Sequence, residues 1–446
     1  MNLSAVPLAP TAPDGAIPTK RLTGLQIGLM ALLISSAVIN YVDRQAMAVV
    51  STLLMEQFHM SKQTYGWVNS VFSGTYILAS ALGGLWIDRV GVRRGLFLAT
   101  IFWTLAAAAH SLVTGFVSLC VVRVLLAIGE GPGGAALLKG VRLILPPRLQ
   151  DTGVSLIGVG TLLGAVLAPL TIAPLASIFG WRAAFLVTAA LGFIWLPFWL
   201  LANARKDANL DAEVVETPAR PHQGLDFSSV AVWATAVAIF FSIAPTVFTL
   251  AFLPSFLKET YGVDLKQLGS IAWQPSLAMD IGQLLGGFAL YALLSRGFSP
   301  LVSRRVVMTS GMLGASSMLM MLQSHDLGHT MLWLNISRFC FQFAYSGLLA
   351  YGITAVPERQ GGAMNGFMNA TFGLCNFVFS PLIGWVADKW NYQAVLLMVG
   401  VMPVIALVFW WILSEVAARQ QASRLGTTGR RIEPQRRRER REDREK

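Results

Sequence analysis

Charge is scarce in this chain of 446 residues: Asp, Glu, Lys and Arg make up 13%, against 54% hydrophobic residues. Soluble domains keep roughly a quarter of their residues charged, so this surface is not built to face water. The apolar excess comes in blocks, as in polytopic membrane proteins. Cysteine is scarcer still. Cys120, Cys340 and Cys375 all fall within apolar segments, and their spacing excludes both a disulfide framework and a cysteine-based metal site. Nucleophile–base spacings, phosphate-cradling loops and metal-ligand clusters are also missing, so neither an enzyme nor a bound cofactor is expected. The first twenty residues are polar and Pro-rich, without an apolar core and small-residue cleavage site. That argues against a removable signal peptide and makes the first apolar segment its own targeting signal.

What is present is a series of twelve segments of membrane-spanning length, at about 25–48, 65–87, 95–113, 116–138, 152–175, 183–203, 229–257, 267–294, 305–323, 329–355, 362–387 and 393–414. Several exceed the roughly 20 residues that a helical span needs, which predicts tilt or extension beyond the bilayer. Loops after even-numbered spans hold 13 Lys and Arg, and loops after odd-numbered spans hold five. The positive-inside rule then puts both termini in the cytoplasm of a multi-pass protein of the plasma (inner) membrane. The expected order is a cytoplasmic tail (1–24), a six-helix bundle (25–203), a polar cytoplasmic linker (204–228), a second six-helix bundle (229–414) and a disordered basic tail (415–446). That tail interleaves Arg436, Arg437, Arg438, Arg440 and Arg441 with Glu433, Glu439, Glu442, Asp443 and Glu445 and lacks aromatics for stacking. It reads as a solvated segment rather than a nucleic-acid partner.

The two halves repeat each other. Arg123-x6-Glu130-Gly131 in span four answers to Arg338-x6-Tyr345-Ser346-Gly347 in span ten, and Gly83-Gly84-x3-Asp88 at the end of span two answers to Gly286-Gly287-x3-Tyr291 at the end of span eight. Duplicated bundles permit rocking about a central site.

Four charges stand inside the first half's spans: Asp43 and Arg44 in Asn40-Tyr41-Val42-Asp43-Arg44, and Arg123 and Glu130 in span four. Each costs roughly 2.5–3.5 kcal/mol at the bilayer centre, so such groups face a partner or a wet cavity. Span one runs outward and span four inward, which sets Asp43, Arg44 and Arg123 at similar depth and Glu130 nearer the midplane. Arg123 and Glu130 share a helical face about 10 Å apart along the axis. The expected pairing is therefore Arg123 with Asp43, leaving Glu130 isolated. Burial favours the neutral carboxyl and a nearby Arg the charged one, which makes Glu130 the candidate proton carrier and Asp43 a second when its Arg partner is drawn away. Arg44 remains for cargo, because its planar fork suits a carboxylate. Tyr76, at about the depth of Glu130, is either a hydroxyl for the cargo or a core aromatic. In the second half, Asp280 is either a third proton site or an acceptor for Trp273 or Gln274. Asn365, Asn369 and Asn376 meet either cargo hydroxyls or neighbouring helices, and Arg338 reads as a pseudo-symmetric remnant.

Gly84-x3-Asp88-Arg89-x-Gly91-x-Arg93-Arg94 resembles the loop signature of the major facilitator superfamily. Asn40-Tyr41-x-Asp43-Arg44, Arg123-x6-Glu130-Gly131 and Phe179-Gly180-Trp181-Arg182-x2-Phe185 resemble its anion:cation symporter family. Trp273-x-Pro275-x4-Asp280-Ile281-Gly282-x3-Gly286-Gly287 looks like the hexuronate and galactonate branch. The resemblance spans nearly all of residues 22–414. It departs at Tyr291, where an Asp is expected, and at Thr354-Ala355-Val356-Pro357, which replaces an Asp-containing turn. It implies an all-α membrane protein of twelve transmembrane helices in two pseudo-symmetric six-helix bundles, importing a small organic anion, a sugar acid, by proton symport with alternating access. It likewise implies Asp43 and Glu130 as proton-coupling sites, Arg44 as ligand of the substrate carboxylate with Tyr76 and Asn369 beside it, and Arg123 as part of the charge network. Asp88 and Arg93 would be a conformational latch. The partners expected are the organic anion, protons and lipid, with no nucleic acid, and the protein acting as a monomer. The alternatives are an aromatic carboxylate as cargo, a proton-driven efflux antiporter, or a non-transporting nutrient sensor. Span five carries Gly160-x3-Gly164 followed by Ala165 rather than Pro, against the efflux pattern.

Overall fold

In the computed structural model, residues 22–204, 210 and 224–445 are described. Most of the expected tail (1–24), with the absence of a signal peptide, and most of the linker (204–228) lie outside the described residues. Ten helices among those described are long and apolar enough to cross a membrane. One of them, Pro147–Asn203, is two spans: Gly180, at φ 80° and ψ 166°, breaks it where a side chain would be strained. The remaining span, the tenth in chain order, is Leu327–Thr354, 28 residues long, whose hydropathy is lowered by Asn335, Arg338 and Gln342. Spans one to four are Gly24–Val49, Lys62–Val90, Val92–Leu112 and Phe116–Ile144, and a short helix, Ser51–Gln57, follows the first. Spans five and six are the two parts of Pro147–Asn203. Spans seven to twelve are Val230–Tyr261, Leu265–Ser295, Pro300–Gln323, Leu327–Thr354, Gly361–Lys389 and Tyr392–Gln420.

Two differences from the sequence reading concern ends and breaks. The segment expected to be a disordered tail from 415 is helical to Glu445. Span seven contains a π-turn, Phe248–Phe252. Pro254 has no N–H to give to the carbonyl four residues earlier, so the ladder widens there.

The repeat seen in sequence is a repeat in packing. A Cβ on Gly83 would lie 2.7 Å from Pro132 Cα, so span two rests directly on span four. Gly286 does the same against the Phe343 carbonyl, seating span eight on span ten. Each bundle thus brings together its second and fourth spans through a glycine, the contact that lets helix backbones approach in a membrane.

Among the described residues, the polar contacts that close the halves on each other gather at one face. At the face opposite the basic loops 89–94 and 139–148, Asp388 of span eleven accepts from the backbone N–H of Lys62 (3.1 Å) and Gln63 (2.8 Å), the first turn of span two. Lys62 also pairs with Glu259 at 3.1 Å, and Lys258 pairs with Glu56. Deeper in, Ser70 donates to the Phe377 carbonyl at 2.6 Å. Asp388 therefore caps a helix of the other half, satisfying two of its orphan donors and its dipole. Toward the basic face the halves part, and a cavity of about 620 Å³ runs from Asn69 and Ser380 to Ala81, Gly134 and Gly366.

Removing one such cap costs about 1 kcal/mol, roughly a fivefold shift in an equilibrium. Asp388→Ala is expected to add a population with the far face open, seen as a longer distance between spin labels at positions 59 and 391. An unchanged distance distribution would show that the cap does not hold this face.

Candidate functional site

The cavity lies between the halves. Span one contributes Tyr41, Arg44 and Gln45, span two Asn69, Phe72, Ser73 and Tyr76, and span four Arg123. Span eleven supplies Asn369 and Asn376 opposite. On span two the lining residues recur at i, i+3, i+4 and i+7, one stripe of the helix.

Arg44 is bound by Glu130: its Nε and one Nη donate to the same carboxylate oxygen at 3.1 and 2.7 Å. The Glu130 side chain is 0% exposed and that of Arg44 27%, so the carboxylate sits behind a guanidinium that faces the cavity. The Arg44 guanidinium also lies over the Tyr76 ring, 4.5 Å from its centroid. This corrects the expected pairing. Glu130 is not isolated, and Arg123 does not meet Asp43. Arg123 donates to Asn69 Oδ1 at 3.4 Å and lies 4.2 Å from the Phe72 centroid. Asp43 is 2% exposed, neither carboxylate oxygen makes a hydrogen bond, and its neighbour is Thr188 of span six, whose hydroxyl donates to Phe185.

The reason is direction rather than depth. Helical side chains lean toward their own N-terminus. Span one starts at the basic face and span four at the far face, so Arg44 and Glu130 lean toward each other, while Asp43 and Arg123 lean apart. Adjacent residues also point about 100° apart. Arg44 therefore turns to span four and the cavity, and Asp43 to span six.

Tyr76 and Asn369 both line the cavity. The Asn369 amide donates to the Asn365 carbonyl at 3.0 Å, and the Asn376 amide to Phe372 at 3.0 Å, which leaves their oxygens as acceptors. Asp88 lies apart from the cavity and pairs with Lys139 at 2.9 Å, and the Arg93 carbonyl accepts from Trp199 at 3.0 Å. Trp273 donates to Ser270 and Gln274 accepts from Asn335, so neither bonds Asp280. Arg338 is fully buried and donates to Thr246 at 2.8 Å. The sequence reading passed over Asn69 and Phe72, the partners of Arg123. Their spacing from Tyr76 was the signal that marks them.

Residues 33–346 and 289–441 match the family model of the Major Facilitator Superfamily. The chain is 25% identical over 424 residues to a hexuronate transporter of Escherichia coli (strain K12), covering 90% of this chain and 97% of that one. To a probable L-galactonate transporter of the same strain it is 27% identical over 398 residues, covering 85% and 87%. The fold matches the crystal structure of a bacterial homolog of the human lysosomal transporter Spinster in an inward-facing, occupied conformation. The TM-score is 0.76 at 16% identity, over 89% of this chain and 98% of the other.

The ion pair is lopsided in exposure, and that sets a stability test. Arg44→Met strands a carboxylate with no water, a loss of the order of 3–5 kcal/mol. Glu130→Gln leaves a guanidinium that the cavity can hydrate. The single Arg44→Met variant is expected to melt several degrees below wild type in detergent, and Arg44→Met/Glu130→Gln to recover most of that. A double variant no more stable than the single one would mean that the pair is not what holds Glu130.

Proposed function

The chain belongs to the major facilitator superfamily, and on that premise we propose that it imports a small organic anion, a sugar acid such as a hexuronate or an aldonate, with protons and by alternating access. One observation carries the reading: on the wall of the cavity between the halves, Arg44 is held by a fully buried Glu130. A guanidinium shared between an internal carboxylate and a cavity is a competition. While Glu130 is ionised it occupies the fork of Arg44. When Glu130 takes a proton the fork is free, and a cargo carboxylate binds it in the bidentate way that Arg favours. Proton and anion then enter the same intermediate, which is the requirement for symport. Asp43, buried beside Thr188 and outside any ion pair among the described residues, is a second proton site in this reading.

The opposite wall suits the rest of a sugar acid. The free oxygens of Asn369 and Asn376 accept hydroxyl protons, and Tyr76 offers its hydroxyl beside Arg44. The names of the hexuronate and L-galactonate relatives support the same cargo class. The far-face cap of Asp388 belongs to the state in which the cavity opens to the basic face, which the positive-inside rule assigns to the cytoplasm. Asp88 and Arg93, in the basic loop, would act in the opposite state. The protein would work in the plasma membrane, as a monomer with cytoplasmic termini. An aromatic carboxylate is a second reading, favoured by Phe72, Tyr76 and Phe372 in the wall; a screen across uronates, aldonates and aromatic acids separates the two.

In proteoliposomes under an imposed pH gradient, Glu130→Gln is expected to abolish uphill uptake of the labelled acid while keeping exchange, since a permanent mimic of the protonated state binds cargo but releases no proton. Undiminished accumulation would remove Glu130 as a coupling site.

Arg44→Lys is expected to raise KM at least tenfold although charge is kept, because an ammonium cannot reproduce the fork (a tenfold change is about 1.4 kcal/mol). Wild-type KM in this variant would place the anion elsewhere, with Arg123 the next candidate.

A further inference from the structure

Phe72 stands where the proposed cycle makes no use of it. Its ring centroid is 4.2 Å from the Arg123 guanidinium carbon and 5.5 Å from that of Arg44. The ring stacks on Tyr76, centroids 5.8 Å apart and planes at 19°. Arg123 is 3% exposed and poor in hydrogen bonds: one Nη reaches Asn69, while Nε and the other Nη meet nothing. A desolvated cation in that position needs another source of negative potential, and the face of an aromatic ring provides one.

Glu130 has a matching deficit. One of its oxygens takes both bonds from Arg44, and the other, though buried, has no partner. Arg123 and Glu130 lie on one face of span four, within electrostatic reach of each other. Seven residues separate them by about 10 Å along the axis. Glu130 leans toward Arg123 while Arg123 leans away toward its own N-terminus, so reaching the idle oxygen requires the long Arg123 side chain to leave its present rotamer. Leaving it gives up the contact with the Phe72 ring.

We propose that Phe72 is a positioning residue that holds Arg123 on its ring and so leaves Glu130 to Arg44 alone. Without the ring, Arg123 turns to the idle oxygen, and Glu130 becomes a carboxylate clamped by two guanidiniums. Such a clamp favours the ionised form more strongly than one guanidinium does. The proton that frees Arg44 then binds only in more acid medium. The charged groups within electrostatic reach of Glu130 are Arg44 and, turned toward span six, Asp43 from span one, and Arg123 from its own span, with Tyr76 of span two against Arg44. The inference rests on the reading of Glu130 as the coupling carboxylate, and it assigns to Phe72 the setting of the pH at which coupling works.

The test replaces Phe72 by 4-fluoro-, 3,5-difluoro- and 3,4,5-trifluorophenylalanine, which weaken the ring's negative face stepwise with little change of shape, and by Leu and Tyr. Initial uptake of the labelled sugar acid into proteoliposomes is measured against pH. The midpoint is expected to move to lower pH with each fluorine, by about one unit for Phe72→Leu, while Phe72→Tyr keeps the wild-type midpoint. In a Glu130→Gln background, exchange is expected to be indifferent to fluorination. A flat series, or one in which the maximal rate falls at a fixed midpoint, overturns the proposal and makes Phe72 a packing residue. If the unsubstituted protein takes up no organic acid, the anion reading fails, and the series is read instead as the pH midpoint of acid melting in detergent. A Glu130 clamped by two arginines keeps its stabilising charge to lower pH, so the same acidward steps are required there.

Discussion

A carboxylate with no access to water has to be neutralised by something, and in this protein the neutralising group is Arg44. Glu130 is wholly enclosed, and the guanidinium that pays for its burial faces the cavity. Much of the centre follows from this one contact. Span one must present Arg44 toward span four, which turns Asp43 away to span six. Span four must carry Glu130 deep enough to be dry, which puts Arg123 two turns toward the far face. The pair thus orients two helices and builds the cavity wall at once. Breaking a buried pair is costly because one charge is left behind, and a proton on the carboxylate removes that cost.

The second constraint is the closure of the two halves at a single face. Asp388 caps span two from the other bundle, and Lys62, at the first turn of that helix, pairs with Glu259. These are exposed or half-exposed polar contacts, each worth little, and they lie where water can replace them. Backbone approaches with no slack occur inside each bundle, Gly83 on Pro132 and Gly286 on Phe343, and also across the closed face, Gly66 on Ser380 and Gly384 on Lys62. Opening that face by rigid-body rocking therefore has to part close-packed glycines as well as polar contacts.

Span two joins the two arrangements. One stripe of it, from Asn69 through Phe72 and Ser73 to Tyr76, faces the cavity and both arginines, while its first turn is held by Asp388. A movement that releases the cap therefore acts on the same helix that carries the rings beside Arg44 and Arg123.

The sequence by itself determined the membrane class, the twelve spans, the repeat of six-helix bundles and the identity of the charged residues at the centre. Those follow from block hydropathy, from basic-loop asymmetry and from the expense of a charge in lipid, and each of these is a property of the chain read in one dimension. Even the span with the weakest hydropathy, Leu327–Thr354, was legible by its place between two basic or polar loops. What only the tertiary structure decided was who meets whom. Depth along a helix comes from residue number, and on depth alone Arg123 pairs with Asp43. Direction around the helix, and the lean of side chains toward opposite N-termini on antiparallel spans, instead join Arg44 to Glu130. The partners of Arg123 were hidden for the same reason: Asn69 and Phe72 are an ordinary amide and an ordinary aromatic until the fold brings a desolvated guanidinium against them. The capping of span two by Asp388, 326 residues away from Lys62, lay equally beyond the sequence, because a helix terminus declares its unpaired N–H groups but not the residue that will satisfy them.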